Sequence, residues 1–246
     1  MRQSSTNPMT QPLILFDMDG TLIIQKERPA ATEFTKSHGS YKSVKDQMKE
    51  IAVKHGVPAE EVNALDRMAH IWNHTRRYVE NHGYSEARIQ TVIDEIGVPF
   101  MAEDRADHAV SELLPDTMAG LESLKRSGYE MGLVTTASRE SYDRISSHID
   151  FGCFGDYFRY SVTRDECNYI KPEPEPIHRI LEYFGRDDFV YVGDTDHDAQ
   201  ASHAAGGLFV LINTRNYGDE TIKSLNPDAI IDNLRELPLT LQSISE

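Results

Sequence analysis

Five short apolar runs, Leu13–Phe16, Met131–Val134, Phe189–Val192, Leu208–Ile212 and Ala229–Ile231, constrain the fold of this chain more than any other feature. Each is apolar at successive positions rather than alternate ones, and helical patterns lie between them. A strand that is apolar on both sides must be covered on both sides, which is the condition of a parallel sheet flanked by helices. Tyr157–Val162 is a weaker sixth candidate. The helices between have readable ends. Asp116 is placed to cap a helix carrying Met118, Leu121 and Leu124 that Gly128 closes, and Ile177, Ile180, Leu181 and Phe184 share a face that ends at Gly185.

The alternation stops between Ile24 and Leu113, where only helical periodicity is legible. Val44, Met48, Ile51 and Ala52 share one face before Gly56. Val62, Leu65, Met68 and Trp72 follow, then Ile89, Val92, Ile93 and Ile96 with Gly97 as the stop. The spacing therefore predicts a helical insertion over 24–113, leaving from the carboxyl end of the first strand. Ligands bind at that end in open α/β sheets, so a lid over a site is the expectation. The core is expected over 12–23 and 114–246, behind a mobile tail at 1–11.

A formal charge of −15 over 246 residues argues against general affinity for nucleic acid or anionic membranes, which requires concentrated Lys and Arg. A small phosphorylated substrate remains compatible, because one metal ion and one lysine reverse the field locally. Cys153 and Cys167 are too few and too widely spaced for a disulfide framework, and no run approaches the ~20 apolar residues of a membrane helix. A cytoplasmic location is the expectation. Nothing in the sequence bears on oligomeric state.

The first apolar run ends in Asp17-Met18-Asp19-Gly20-Thr21. Two carboxylates one residue apart at a buried strand's exit need compensation, which a divalent cation supplies. Gly20 lets the backbone turn where a ligand approaches. A plain loop turn is the competing reading, and a calcium loop lacks its later ligands. Three further features follow. Thr135 and Thr136 end the second clear strand, Lys171 precedes a Pro-rich run, and Asp194-Thr195-Asp196-His197-Asp198 ends another strand. Each has a bland account as a helix cap, a solvated lysine or an acidic helix start. Their joint occurrence at strand ends of one α/β domain does not.

In that order these motifs resemble the haloacid dehalogenase superfamily, over Leu13 to about Asn233. The chain is similar to its phosphoglycolate phosphatases. The resemblance implies a Rossmann-like parallel sheet core with helices on both faces and an inserted α-helical cap. It implies Asp17 as nucleophile and Asp19 as general acid–base. Thr135, with Thr136, would bind the substrate phosphate, and Lys171 would steady both phosphate and nucleophile. Mg²⁺ would be held by Asp17, Asp19, Asp194 and Asp198. If a helix begins there, Asp194 and Asp198 share one side of its first turn. A small phosphorylated metabolite is the implied partner, with phosphomutase as the alternative activity and a phosphoacceptor switch a remote third. A carboxylate at Asp19 argues against dehalogenation, whose halide leaves without a proton. Two departures weaken any named substrate: Ile24-Gln25 stands where related sequences continue Asp-Ser, and Thr136 stands where asparagine or serine is frequent.

Outside the motifs, His70 and His74 share a helix face at i, i+4 spacing but lack the HExxH pattern. Packing is the simpler account of both. Arg67, Arg76 and Arg77 are read as a solvated face, although they could meet substrate anions. Trp72 is read as cap core.

Overall fold

The computed structural model describes residues 11–26 and 43–244. Apart from Gln11, the tail expected over 1–11 lies outside the described residues. Six strands form one parallel sheet: β1 (Leu13–Phe16), β4 (Met131–Val134), β5 (Tyr160–Val162), β6 (Phe189–Gly193), β7 (Leu208–Ile212) and β8 (Ala229–Ile231). Their order is β5-β4-β1-β6-β7-β8, with Ile14 opposite Met131 on one side and Val190 on the other. All six expected strands are present, the weak one trimmed to its last three residues.

Side chains alternate across the sheet as strand geometry requires. Leu13 and Leu15 enter one buried cluster, and Ile14 and Phe16 enter the other. Both faces are therefore covered, which is why these runs are apolar throughout. The switch in strand order falls at β1, between β4 and β6. In such sheets the crevice at the carboxyl ends beside that point receives ligands.

The insertion is helical: α1 (Val44–Lys54), α2 (Ala59–Asn63), α3 (Met68–Asn81) and α4 (Glu86–His108). Ser43 caps α1 with a reciprocal capping box to Asp46, and Gly56 ends it with a φ of 94°. Three details differ from the sequence expectations. The insertion is entered and left by two short strands, β2 (Ile23–Gln25) and β3 (Ser111–Leu113), paired antiparallel. Three residues each carry too little periodicity to register as strands. The stripe from Val62 to Trp72 is broken, because α2 stops at Asn63 and α3 begins at Met68. Lastly, Gly97 does not end α4, which continues through Pro99 to His108. Glycine and proline together disfavour a helix by about 4 kcal/mol relative to alanine. Burial of Ile89, Val92, Ile93, Ile96 and Phe100 on one face outweighs that.

The remaining helices are α5 (Thr117–Arg126), α6 (Arg139–Ser146), α7 (Glu175–Phe184), α8 (Asp196–Ala204), α9 (Asp219–Leu225) and α10 (Leu237–Ile244). Asp116 does sit at the N-cap of α5, but in left-handed backbone with no side-chain cap; its carboxylate pairs with Arg235 at 2.7 Å instead.

The insertion is seated on the loop before α7. Asn73 closes a two-way clasp with Ile170, donating to its carbonyl at 2.7 Å and accepting from its N–H at 2.9 Å. Trp72 is buried as expected, yet its Nε1–H reaches the carbonyl of Asn168 at 3.4 Å, so it belongs to the junction between cap and core. Arg67 and Arg77 are not a free solvated face: they pair with Asp196 and Glu173, each at 2.6 Å. Arg76 is buried against Glu80.

Candidate active site

Four sequence motifs converge at the carboxyl ends of the central strands. Asp17 follows β1, Thr135 follows β4 and Asp194 follows β6, while Lys171 arrives from the loop before α7. Lys171 is the hub. Its buried ammonium donates to Asp17 Oδ1 and Asp198 Oδ1, both at 2.6 Å, and to the Tyr191 hydroxyl at 2.9 Å. Tyr191 in turn donates to the Val134 carbonyl at 3.0 Å. A lysine is buried this deeply only when its charge is met, and here two carboxylates meet it.

The electrostatics follow from that arrangement. Burial works to lower the Lys171 pKa, but Asp17 and Asp198 outweigh it and the net shift is upward. Burial would raise Asp198 as well; Lys171 and the Thr195 hydrogen bonds reverse this and hold it down. Asp17 goes the other way. Burial pushes it well above the ordinary carboxylate value, Lys171 opposes, and Asp198, Asp194 and Asp19 add repulsion. Asp194 is raised to about 7 by burial and by Asp198, against the pull of Arg215. Negative charge exceeds positive charge in a buried space.

Asp17, Asp194 and Asp198 present carboxylate oxygens that all lie within 4.8 Å of one another. Asp194 Oδ2 accepts from Arg215 Nε at 2.6 Å, whereas its buried Oδ1 has no hydrogen-bond partner among the described residues. An orphaned buried carboxylate oxygen amid excess negative charge, with hard oxygen donors around it, fits a divalent cation such as Mg²⁺. Asp198 is more fully engaged, since its Oδ2 also accepts from the N–H and hydroxyl of Thr195 in a capping box that starts α8. Asp194 and Asp198 do not share a helix turn as expected. The helix begins at Asp196, and Asp194 belongs to the strand exit, so tertiary position rather than i, i+4 spacing brings them together.

Two glycines are required by close approach. A Cβ on Gly20, whose φ is 86°, would lie 2.1 Å from Asp194 Oδ2, and one on Gly193 would lie 2.5 Å from the Asp198 Cβ. Asp19 stands further out on the same turn, and its Oδ1 meets His108 Nε2 at 3.1 Å. Thr135 is buried, its hydroxyl oxygen accepting from the Ala137 N–H at 3.1 Å. Thr136 is half-buried and lines a cavity of about 400 Å³ between cap and core, with Lys45, Arg67, Phe100 and His197. A smaller cavity of about 240 Å³ opens beside Asp19, Asp194 and Arg215.

His70 and His74 do not converge. His70 packs on the His197 ring with centroids 4.8 Å apart, and His74 lies 3.1 Å from Glu61. Tyr191, Arg215 and His108 escaped the sequence reading, and His197, inside the acidic turn, was set aside there as a ligand. A hydroxyl-bearing tyrosine inside an otherwise apolar strand was a signal for the first. Arg215, just beyond a strand's carboxyl end, was a signal for the second. His108 reaches Asp19 only through the long course of α4, for which no local pattern exists.

The family model for haloacid dehalogenase-like hydrolases matches residues 12–206, most of the chain. The chain belongs to that family. It is therefore a hydrolase of the haloacid dehalogenase type. Among curated relatives, pyrophosphatase PpaX of Bacillus velezensis is 27% identical over 235 residues, covering 91% of this chain and 93% of its own. Two solved structures share the fold. A predicted phosphoglycolate phosphatase from Haemophilus somnus aligns with a TM-score of 0.55 at 22% identity, over 94% of this chain and 99% of its own. A hydrolase from Pseudomonas syringae aligns with a TM-score of 0.55 at 16% identity, over 95% and 99%. Among the described residues no helix is long and apolar enough to cross a membrane.

Proposed function

We propose that this protein is a magnesium-dependent phosphatase of a small phosphorylated metabolite, acting through a phosphoaspartyl intermediate on Asp17. The observation that carries the reading is Lys171, held at 2.6 Å from both Asp17 and Asp198 at the carboxyl ends of the central strands. Asp17 attacks phosphorus while Lys171 offsets the repulsion between carboxylate and phosphate and orients the nucleophile. Thr135 and Thr136 hold the phosphoryl oxygens from the β4 side. Asp19 protonates the departing oxygen, then takes a proton from the water that hydrolyses the acyl phosphate. His108 orients Asp19 for both steps. Asp17, Asp194 and Asp198, with the Asp19 turn, would hold Mg²⁺, which supplies charge neutralisation between nucleophile and substrate. The cap, taken as 24–113, shields the intermediate and admits water as it moves.

Phosphoglycolate, sugar phosphates and inorganic pyrophosphate are the substrates to try first, the last because of the PpaX relative. Phosphate release from a panel of these compounds in magnesium buffer tests the function. Folded protein releasing phosphate from none of them would count against the reading, and isomer formation without phosphate release would move it to a mutase.

The raised Asp194 pKa gives a signed expectation. Protons on Asp194 and Asp17, both raised by burial, must leave when a cation binds, so Mg²⁺ affinity measured by titration calorimetry rises with pH through about 7. Each competing proton contributes a slope of up to about tenfold per pH unit. Affinity that is independent of pH between 5 and 7 would remove Asp194 from the metal site.

A further inference from the structure

Arg164 is a core residue, just after β5, whose charge is met by the cap. Its guanidinium is fully buried and donates from Nη2 to Asp104 Oδ2 at 2.8 Å and from Nη1 to the Thr136 carbonyl at 2.8 Å. The same Asp104 oxygen accepts from the Ser138 N–H at 3.1 Å, and the Arg164 N–H donates to the Ala137 carbonyl at 3.1 Å. The turn 135–138 is thus tied at three successive residues. The cation sits over the Phe100 ring, 3.9 Å from ring centroid to guanidinium carbon. Phe100 and Asp104 are four residues apart on α4, so one stripe of a cap helix grips the cation that grips the turn.

We infer that Arg164 is a positioning residue through which the seated cap shapes the phosphate-binding turn, so that cap docking and phosphoryl binding favour each other. This rests on the reading of Thr135 and Thr136 as phosphate-binding residues. Lifting α4 removes both Asp104 and Phe100 from a buried guanidinium, which then must find water or another anion. The Ser138 N–H loses its acceptor in the same movement, and the guanidinium that holds the Thr136 carbonyl loses its anchor. Product phosphate is then released from a turn that has loosened, and a new substrate phosphate draws the cap back by linkage.

Orthovanadate, a phosphoryl mimic, is the probe. Its affinity is measured by calorimetry and by inhibition in magnesium buffer for the full-length wild type, Asp104→Asn, Arg164→Lys and Thr135→Ala. Lysine keeps the charge but lacks the fork that spans Thr136 and Asp104. Asp104→Asn and Arg164→Lys are both expected to bind vanadate about 10- to 100-fold more weakly, the equivalent of one charge-assisted hydrogen bond, with KM rising in step and kcat moving by less than ~3-fold. Wild-type affinity and KM in both, with affinity lost in Thr135→Ala, would overturn the inference and leave the site reading intact. Wild-type affinity in Thr135→Ala would instead remove the site reading itself. Should a variant fold poorly, hydrogen exchange on the wild type decides: vanadate must slow amide exchange around Phe100–Asp104, and unchanged exchange there rejects the coupling.

Discussion

Asp17→Asn is expected to reduce phosphate release by at least about 10⁴-fold, because the amide oxygen cannot serve as an anionic nucleophile. The fold should survive the change. Burial and three other carboxylates hold the Asp17 pKa above its ordinary value, so the folded state keeps that proton at pH values where the unfolded chain has lost it. Ionised Asp17 therefore lowers the stability of the metal-free protein as pH rises past the ordinary carboxylate range. A neutral asparagine escapes that penalty, and the melting temperature at neutral pH without magnesium should stay level or rise. Steady-state turnover and calorimetric melting on one preparation check both halves. Near-native turnover would end the role of Asp17 as nucleophile. Asp19→Asn gives the complementary case: slow phosphoenzyme formation with activated leaving groups and almost none with poor ones, read by acid-quench labelling.

Lys171→Met should do the reverse, damaging stability as well as rate. Methionine fills a similar volume but leaves Asp17 and Asp198 buried, uncompensated and facing one vacated cation position. Removing one partner from a buried ion pair destabilises by roughly 3–5 kcal/mol, and losing an aimed electrostatic donor slows turnover by about 10²- to 10³-fold. The sign of the pH dependence follows from the same charges. In the wild type, Lys171 holds Asp198 below its ordinary pKa, so that stabilisation is present at neutral pH and lost as pH falls. In the variant the carboxylates repel at neutral pH and are relieved by protonation. The stability gap between the two proteins should therefore be widest near pH 7 and shrink towards pH 4 in denaturant titrations. Magnesium should narrow it as well, by supplying the missing positive charge. A gap that widens on acidification would contradict this account of Lys171.

The strands were legible because a two-sided parallel sheet forces apolar residues at successive positions, and such runs have few other uses. Leu13–Phe16 and Phe189–Val192 are of this kind. The chemistry-bearing residues were legible for a related reason. Carboxylates, hydroxyls and a lysine at strand exits are costly to bury and so conspicuous in sequence, and the reading brought Asp17, Thr135, Lys171, Asp194 and Asp198 into one neighbourhood. Helix ends were less legible. Gly97 and Pro99 signal a stop in any local window, yet the buried face of α4 carries the helix past both.

Which partners these residues take was decided by tertiary structure alone. Lys171 lies 154 positions from Asp17, and Arg164 lies 60 from Asp104, so neither pair leaves a periodic or local trace. A buried charge is stable only against whatever the fold delivers to it. Sequence by itself determined a doubly covered parallel sheet with carboxylates, a hydroxyl and a lysine at its carboxyl edge. The fold decided that Asp194 rather than Asp198 keeps an open oxygen, that His108 reaches Asp19, and that Arg164 spans Asp104 and the Thr136 carbonyl. Burial, distance and charge compensation are properties of the assembled chain, and they separate a list of ionisable residues from an ordered site.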